Sequence, residues 1–344
     1  MYGFLNSQNA AEYERFVEAH ENGSFMQSLA WANVKANWES EAIISRDDSG
    51  KIRGACLVLV KKIPLVKCAF LYAPRGPVCN FSDSEALSDI AAGIDILAKK
   101  YGAFAAMCDP PLGDDLDASA LENAGFALRD IPEEHLIQCR FNYVLELKGK
   151  TLYEIYAGFK PDYRNRISKA ERRGVWCEEL RGEAAINALP DFYELMKQTG
   201  RRDGFPIRSL EYFARFLRSL GEHAALFMCY AKLGGVKTPL SGAIAVNYGK
   251  RFAYVYGASG DEHRELYPSY LMQWTMITAG HGRGDSVYDF GGVPFYHDET
   301  RREYGIYRFK KGFGGDVASF AGQFVKVYRP FLEKAAVIFA ELQR

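Results

Sequence analysis

The stretches Leu240-Ser-Gly-Ala-Ile-Ala-Val-Asn-Tyr248 and Phe252-Ala-Tyr-Val-Tyr-Gly-Ala-Ser259 carry the reading of the fold, because both look like strands and both have a counterpart earlier in the chain. After them the spacing predicts a helix over Pro268–Gly280 and a strand over Ser286-Val-Tyr-Asp-Phe290. The first half shows the same succession. A strand at Gly54–Val60 is followed by Phe70-Leu-Tyr-Ala-Pro-Arg-Gly-Pro77. Next comes an amphipathic helix over Ser84–Tyr101, with Leu87, Ile90, Ile94 and Leu97 at helical spacing, and then the strand Ala103–Cys108. Gly54 and Gly242 lie 188 residues apart, Tyr72 and Tyr256 184, and Asp109 and Asp289 180. A nearly constant offset through successive elements indicates a duplicated unit. The fold class expected is therefore α/β, two related units with mixed, mainly antiparallel sheets. Upstream, helices are expected over Ala10–Ala19 and Leu29–Trp38 and a strand over Glu41–Ser45. The boundary is placed near Leu147-Lys-Gly-Lys150, giving units 1–147 and 148–319. The segment 320–344, with a last helix at about Phe331–Leu342, returns to the first unit.

A chain of 344 residues suits two domains of ordinary size. Its 43 basic and 43 acidic residues cancel, which argues against a surface wholly devoted to nucleic acid and leaves room for local basic patches. No apolar run reaches the roughly 18–20 residues that span a bilayer, and no basic-then-apolar leader is visible. A soluble cytoplasmic protein is the expectation. The seven cysteines are scattered without a C-x-x-C pair and read as reduced, mostly packed thiols. No phosphate loop, zinc-protease helix or nucleophile elbow occurs, and the six histidines show no metal spacing.

Five blocks stand out instead. Ser24-Phe-Met-Gln-Ser-Leu-Ala-Trp-Ala-Asn-Val-Lys35 sets Gln27, Trp31 and Lys35 at spacing four, as on one face of a helix. Tyr72-Ala-Pro-Arg-Gly-Pro-Val78 holds Arg75 in a Pro/Gly turn, and Lys160–Gly174 is a basic helical stretch. Thr199-Gly-Arg-Arg-Asp-Gly-Phe205 reads as a charged turn before a helix. The fifth block, Tyr288-Asp-Phe-Gly-Gly-Val293, leads to Gly305-Ile-Tyr-Arg-Phe-Lys-Lys-Gly-Phe-Gly-Gly315.

In this order the five blocks resemble the Fem family of peptidoglycan bridge-forming, aminoacyl-tRNA-dependent peptidyltransferases, over nearly the whole chain. The resemblance implies tandem GNAT-like domains with the C-terminal helix returning to the first. It implies transfer of Gly, Ala or Ser from an aminoacyl-tRNA co-substrate to the side-chain amine of a precursor peptide, with no other cofactor and no metal. The acceptor would be UDP-MurNAc-pentapeptide or its lipid-linked form, with at most peripheral membrane contact. Between Phe205 and Leu240 the long helical hairpin of some members is missing, so the chain reads as a compact member.

An aminoacyl ester is already activated, so positioning and stabilisation of the oxyanion can supply most of the acceleration. Both substrates are polyanions, which lysine and arginine meet. The resemblance puts Lys35 and Arg202 at the acceptor's diphosphate and peptide, with Tyr256 lining the same groove; by residue type alone Tyr256 reads equally as a packed strand aromatic. Arg75 reads as a structural turn contact or a ligand contact. The resemblance turns Lys310 toward the tRNA acceptor end and the reacting ester; its neighbour Lys311 reads as solvent-facing. Phe309 offers its ring or carbonyl to the reacting ends, or joins the core. Asp109 either caps a turn or takes the proton of the attacking ammonium; a carboxylate near ~4 is a weak base for an amine near ~10, so a rise through burial would favour the second role. The basic stretch from Lys160 reads as a tRNA contact or a solvated face. A rival within the fold, an acyl-CoA N-acyltransferase, needs Gly or Ala at Pro206, His223 or Tyr307, five residues after Arg201, Arg218 and Arg302. A non-catalytic cell-wall-precursor or RNA-binding protein is the other alternative.

Overall fold

The N-terminal unit begins with β1 (Tyr2–Phe4), α1 (Ala10–Ala19), α2 (Leu29–Val34), β2 (Glu39–Arg46) and β3 (Ile52–Ile63). It continues through β4 (Cys68–Ala73), β5 (Val78–Cys79), α3 (Ser84–Tyr101), β6 (Ala103–Cys108), α4 (Ser119–Asn123) and β7 (Ala127–Arg129). Helix α3 starts where the Asp83 side chain accepts from the Ala86 N–H and stops at Gly102, which adopts φ +62°. Leu87, Ile90, Ile94 and Leu97 are all buried against the sheet. Each contributes roughly 1.5–3 kcal/mol of apolar burial, far more than helix propensity alone.

The second unit contains β8 (Phe141–Glu146), α5 (Leu152–Ala157), α6 (Pro161–Arg172), β9 (Trp176–Leu180), α7 (Gly182–Asp203) and α8 (Leu210–Leu220). Next come β10 (Ala224–Leu233), β11 (Val236–Tyr248), β12 (Arg251–Ser259), α9 (Pro268–Gly282), β13 (Val287–Gly292), α10 (Tyr304–Lys311) and β14 (Asp316–Ser319). The chain then forms β15 (Gln323–Val327). The computed structural model describes residues 1–63, 67–114 and 117–333. Its compact units are Met1–Arg140 with Ser319–Arg344, and Phe141–Ala318.

The two sheets have one topology. The first runs β1-β2-β3-β4-β6-β15-β7, with β5 also paired to β3; the second, read in the same sense, runs β9-β10-β11-β12-β13-β8-β14. The slot beside β6 is filled by β15, and the matching slot beside β13 by β8. Each sheet thus takes this strand from the chain segment that follows the other unit's last strand. Because β8 pairs antiparallel with β13 (Tyr288↔Leu145), the chain changes unit at 140/141 and not at 147. The returning segment contributes a strand, Phe324↔Cys108, that hydropathy alone did not mark. The helix expected over Phe331–Leu342 lies mostly outside the described residues.

Three further expectations change. Ser28 caps α2, and Lys35 leaves helical geometry at φ −88° and ψ 40°, so the helix ends at Val34 and not at Trp38. Gln27 lies in a 3-10 turn before the cap and is not on the α2 face with Trp31 and Lys35. Thr199–Asp203 is the last turn of α7, closed by Gly204 at φ +68°, where a free-standing turn was expected.

Candidate functional site

In the first unit the candidate residues gather around Pro74-Arg-Gly-Pro77. Strands β4 and β5 both pair with β3, at Leu59↔Tyr72 and Ala55↔Val78, so the turn is a bulge in what would otherwise be one strand. It is pinned from two sides. The Gln27 side chain, wholly buried, donates to the carbonyls of Pro74 (2.8 Å) and Leu57 (3.2 Å) and accepts from the Leu57 N–H (2.7 Å). Gly76 must lack a side chain, because a Cβ there would overlap the Gln27 amide. From the other side Asp109, only 2 % exposed, accepts from the Arg75 N–H (2.6 Å) and the Tyr72 hydroxyl (2.7 Å). Burial raises the Asp109 pKa, and the Arg75 guanidinium and the Tyr72 hydrogen bond lower it, with a net rise. Burial, with the Asp109 charge, also pushes Tyr72 well above the ordinary phenol range. The proton-acceptor role expected for Asp109 therefore meets a carboxylate with both oxygens already engaged inside the unit.

Arg75 has φ +52°, donates to the Cys139 carbonyl at 2.7 Å and stacks its guanidinium 4.7 Å from the Phe320 ring centroid. These are structural turn contacts, one of its two sequence readings. Lys35 is half-buried at the end of α2, its Nζ 4.7 Å from the Trp31 ring centroid.

In the second unit the sheet opens at one seam. Strands β12 and β13 pair in parallel only over Arg251↔Val287, Phe252↔Tyr288 and Ala253↔Asp289. Their counterparts β4 and β6 stay paired from Ala69↔Ala103 to Ala73↔Cys108. Past Asp289 the second seam is unzipped, and Lys310 reaches its end. Lys310 is 6 % exposed and donates to the Gly292 carbonyl at 2.7 Å. Asp289 accepts from the Gly291 N–H (2.7 Å), Arg251 Nη1 (2.9 Å) and Asn142 Nδ2 (3.1 Å). Gly291 adopts φ +77°, and a Cβ on it would stand 3.1 Å from the Tyr254 carbonyl and 3.9 Å from Lys310 Nζ. The Tyr-Asp-Phe-Gly-Gly block thus works as one device: Asp289 fixes the glycine turn, and the turn's last carbonyl receives the lysine. Asp289 and Tyr254 were not singled out as site residues from the sequence; the signal for Asp289 lay in that block. Unlike Asp109, which follows β6, Asp289 lies within β13, so the two acids matched by the repeat occupy different places.

Phe309 packs its ring 5.3 Å from Tyr270 and 5.4 Å from Phe313, and its carbonyl accepts from the Gly312 N–H. Its ring is partly buried and packs against the core of the unit. Lys311 is exposed, 5.2 Å from the Tyr307 ring centroid.

Arg202 is also committed within the unit. It donates to the Ser259 carbonyl (3.1 Å), Ser259 Oγ (3.1 Å), Asp261 (2.7 Å) and Asp203 (3.2 Å), clasping the end of α7 to the end of β12. Partial burial acts to lower its pKa, but Asp261 and Asp203 outweigh this and raise it. Tyr256 sits in the aromatic group of α8, 5.1 Å from Phe213, with its hydroxyl 3.1 Å from that of Tyr212. A bulge at Val255, between Ala245↔Tyr254 and Ile244↔Tyr256, sends Tyr254 and Tyr256 to opposite faces. Tyr254 faces the core that includes Phe290 and Phe313, and burial pushes its pKa up to about 12.

The basic stretch forms α6. Tyr163, Ile167 and Ala170 are buried, while Arg166 donates to the Tyr270 hydroxyl and Arg173 to the Glu265 carbonyl. Lys160 and Arg172 are exposed. Among the described residues no group of three or more His, Cys, Asp or Glu side chains is placed to hold a metal ion. No described helix is long and apolar enough to cross a membrane.

Comparison with known proteins agrees with this architecture. The chain is 28% identical over 383 residues to the lipid II:glycine glycyltransferase of Staphylococcus haemolyticus, covering 91% of this chain and 90% of that protein. The crystal structure of FemX superposes with a TM-score of 0.88 at 25% identity, covering 97% of this chain and 99% of that one. A tandem GNAT protein from the clavulanic acid pathway shares the fold alone, with a TM-score of 0.55 at 10% identity over 94% of this chain and 98% of that one. The FemAB family matches residues 9–236 and 230–340. With paired GNAT-like sheets, one seam unzipped at Lys310, and a family match that runs through nearly its whole length, this chain belongs to the FemAB family.

Proposed function

We propose that this protein transfers an amino acid from a charged tRNA to an amine of a lipid-linked peptidoglycan-precursor peptide. Its glycyltransferase relatives, named for lipid II–glycine, support that acceptor and make glycine the first amino acid to test, with alanine and serine next. The observation that carries the reading is Lys310, a buried amine at the open end of the β12–β13 seam. Acyl transfer from an ester builds negative charge on the carbonyl oxygen as it becomes tetrahedral. A lysine held in a low-dielectric site, with the Gly292 carbonyl among its partners, is pre-organised to meet that charge, at little reorganisation cost. The incoming amine must be neutral to attack, and no covalent enzyme intermediate is required.

The test incubates purified protein with total charged tRNA and lipid-linked precursor and reads the precursor's mass. Addition of one aminoacyl residue is expected, and labelled acetyl-CoA should give none. Lys310→Ala should lower turnover by at least ~10²-fold, the lower range for loss of an oxyanion-stabilising donor. Lys311→Ala should leave turnover near wild type, since it points to solvent. Normal transfer by Lys310→Ala, with melting curves matched to wild type, would remove the main support for this reading.

A further inference from the structure

Two cysteines in the second unit face each other on adjacent strands. Cys177 on β9 and Cys229 on β10 are direct partners in the antiparallel register, flanked by Glu178↔Met228 and Trp176↔Tyr230. Direct partners point to the same face of a sheet. Cys229 is fully buried in the core under α6 and α9, and Cys177 is partly exposed and packs against that core. The Cys177 thiol stands close enough to help raise the Cys229 pKa. Strand β9 is the edge of its sheet, so Cys177 stands where a small solute can approach.

The backbone already suits a covalent link. Facing residues of an antiparallel pair have Cα atoms about 4.5 or 5.5 Å apart, according to the kind of pair. Both spacings fall inside the roughly 4.4–6.8 Å over which disulfides form. The ladder also holds the two residues rigidly, so a bond made there closes without chain rearrangement.

We propose that Cys177 and Cys229 are a redox modification site, forming a reversible cross-strand disulfide when the protein meets a peroxide. The Cys177 thiolate attacks one peroxide oxygen and the O–O bond breaks, leaving a sulfenic acid at Cys177 and, with the thiol's proton, one water. The Cys229 sulfur then attacks the sulfenic sulfur. The S–S bond forms, the S–O bond breaks, and hydroxide leaves with the Cys229 proton as a second water. Two thiols lose two electrons in all, and one hydrogen peroxide becomes two waters. Cys177, the accessible member, takes the oxidant, and Cys229 resolves it. Burial pushes the Cys229 thiol well above its ordinary range, and the neighbouring Ser241 hydroxyl on β11 partly offsets this. The link would fasten the edge strand β9 to β10.

The test treats the wild-type protein with hydrogen peroxide and maps peptides by mass spectrometry without reduction. The expected product joins the peptide holding Cys177 to that holding Cys229, lighter by two hydrogens than the two thiol peptides, and separates on treatment with dithiothreitol. Cys229→Ala should instead accumulate a sulfenic acid at Cys177 that dimedone traps. Cys139, the other partly exposed cysteine, is an internal control for oxidant exposure. If Cys139 oxidises while Cys177 and Cys229 remain thiols, or if Cys177 advances to sulfinic acid with Cys229 still reduced, the proposal is wrong. The mapping uses the native chain, so its outcome does not depend on whether the Cys229→Ala variant folds.

Discussion

Replacing Asp109 by Asn separates its two sequence readings, as turn anchor and as proton acceptor. In the folded chain one carboxylate oxygen takes the Arg75 N–H and the other the Tyr72 hydroxyl. Asparagine keeps a carbonyl oxygen for Arg75 and offers an N–H to the Tyr72 oxygen, which can accept. Two charge-assisted bonds become neutral ones, and the cost of burying a charge disappears, so the net destabilisation should be about 1 kcal/mol. Alanine leaves two buried donors without an acceptor at roughly 1–3 kcal/mol each, so Asp109→Ala should lose about 3 kcal/mol or more. Urea unfolding followed by intrinsic fluorescence gives both values. Precursor transfer is then measured where both variants are fully folded. Since both carboxylate oxygens serve the turn, Asp109→Asn should keep turnover within about tenfold of wild type, less than the usual 10²–10⁴ for a lost general base. A stable Asp109→Asn protein with turnover lowered by ~10³ would refute this, and would make the carboxylate a proton carrier despite its two partners.

Three other outcomes follow from single features. A Cβ on Gly312 would overlap three atoms of the Tyr163 ring, so Gly312→Ala should destabilise the second unit by about 2 kcal/mol, in the overpacking range, and lower its melting temperature. Asp285 has one oxygen without a partner, and burial raises its pKa in spite of the Asn247 hydrogen bond. A carboxyl raised on folding binds its proton more tightly in the native state, so its contribution to stability is present at low pH and is lost as pH rises through the folded pKa. Asp285→Asn should flatten that decline and raise the melting temperature at pH 7; an unchanged pH profile would show that Asp285 does not titrate as argued. Lys35→Ala should raise the KM for the precursor more than it lowers kcat, as expected for a contact made before the transition state, and steady-state kinetics checks this.

Sequence alone determined whatever depends on neighbours along the chain. Helix α3 runs from Ser84 to Tyr101 as expected, because its cap, its apolar face and its stop at Gly102 are all local. The expected span of β6 matches for a similar reason, since one continuous apolar run fits a strand buried on both faces. The duplication was legible because equivalent strands kept their small and aromatic residues at a steady offset. The five blocks that carry the family resemblance could likewise be read directly.

Tertiary structure decided which of those residues face which space. A one-residue bulge at Val255 places Tyr256 among the aromatics of α8 and turns Tyr254 to the opposite face, a choice that period-two alternation cannot show. Gln27 and Asp109 became two pins on one turn only because the middle of β3 and the end of β6 lie beside it. The strand β15 is only five residues long, and its place is set by the slot between β6 and β7. Lys310 and Lys311 are adjacent in sequence, and only the packing of α10 buries one and exposes the other. In each case a non-local partner sets the outcome, through long-range hydrogen bonds and burial that no window of sequence contains.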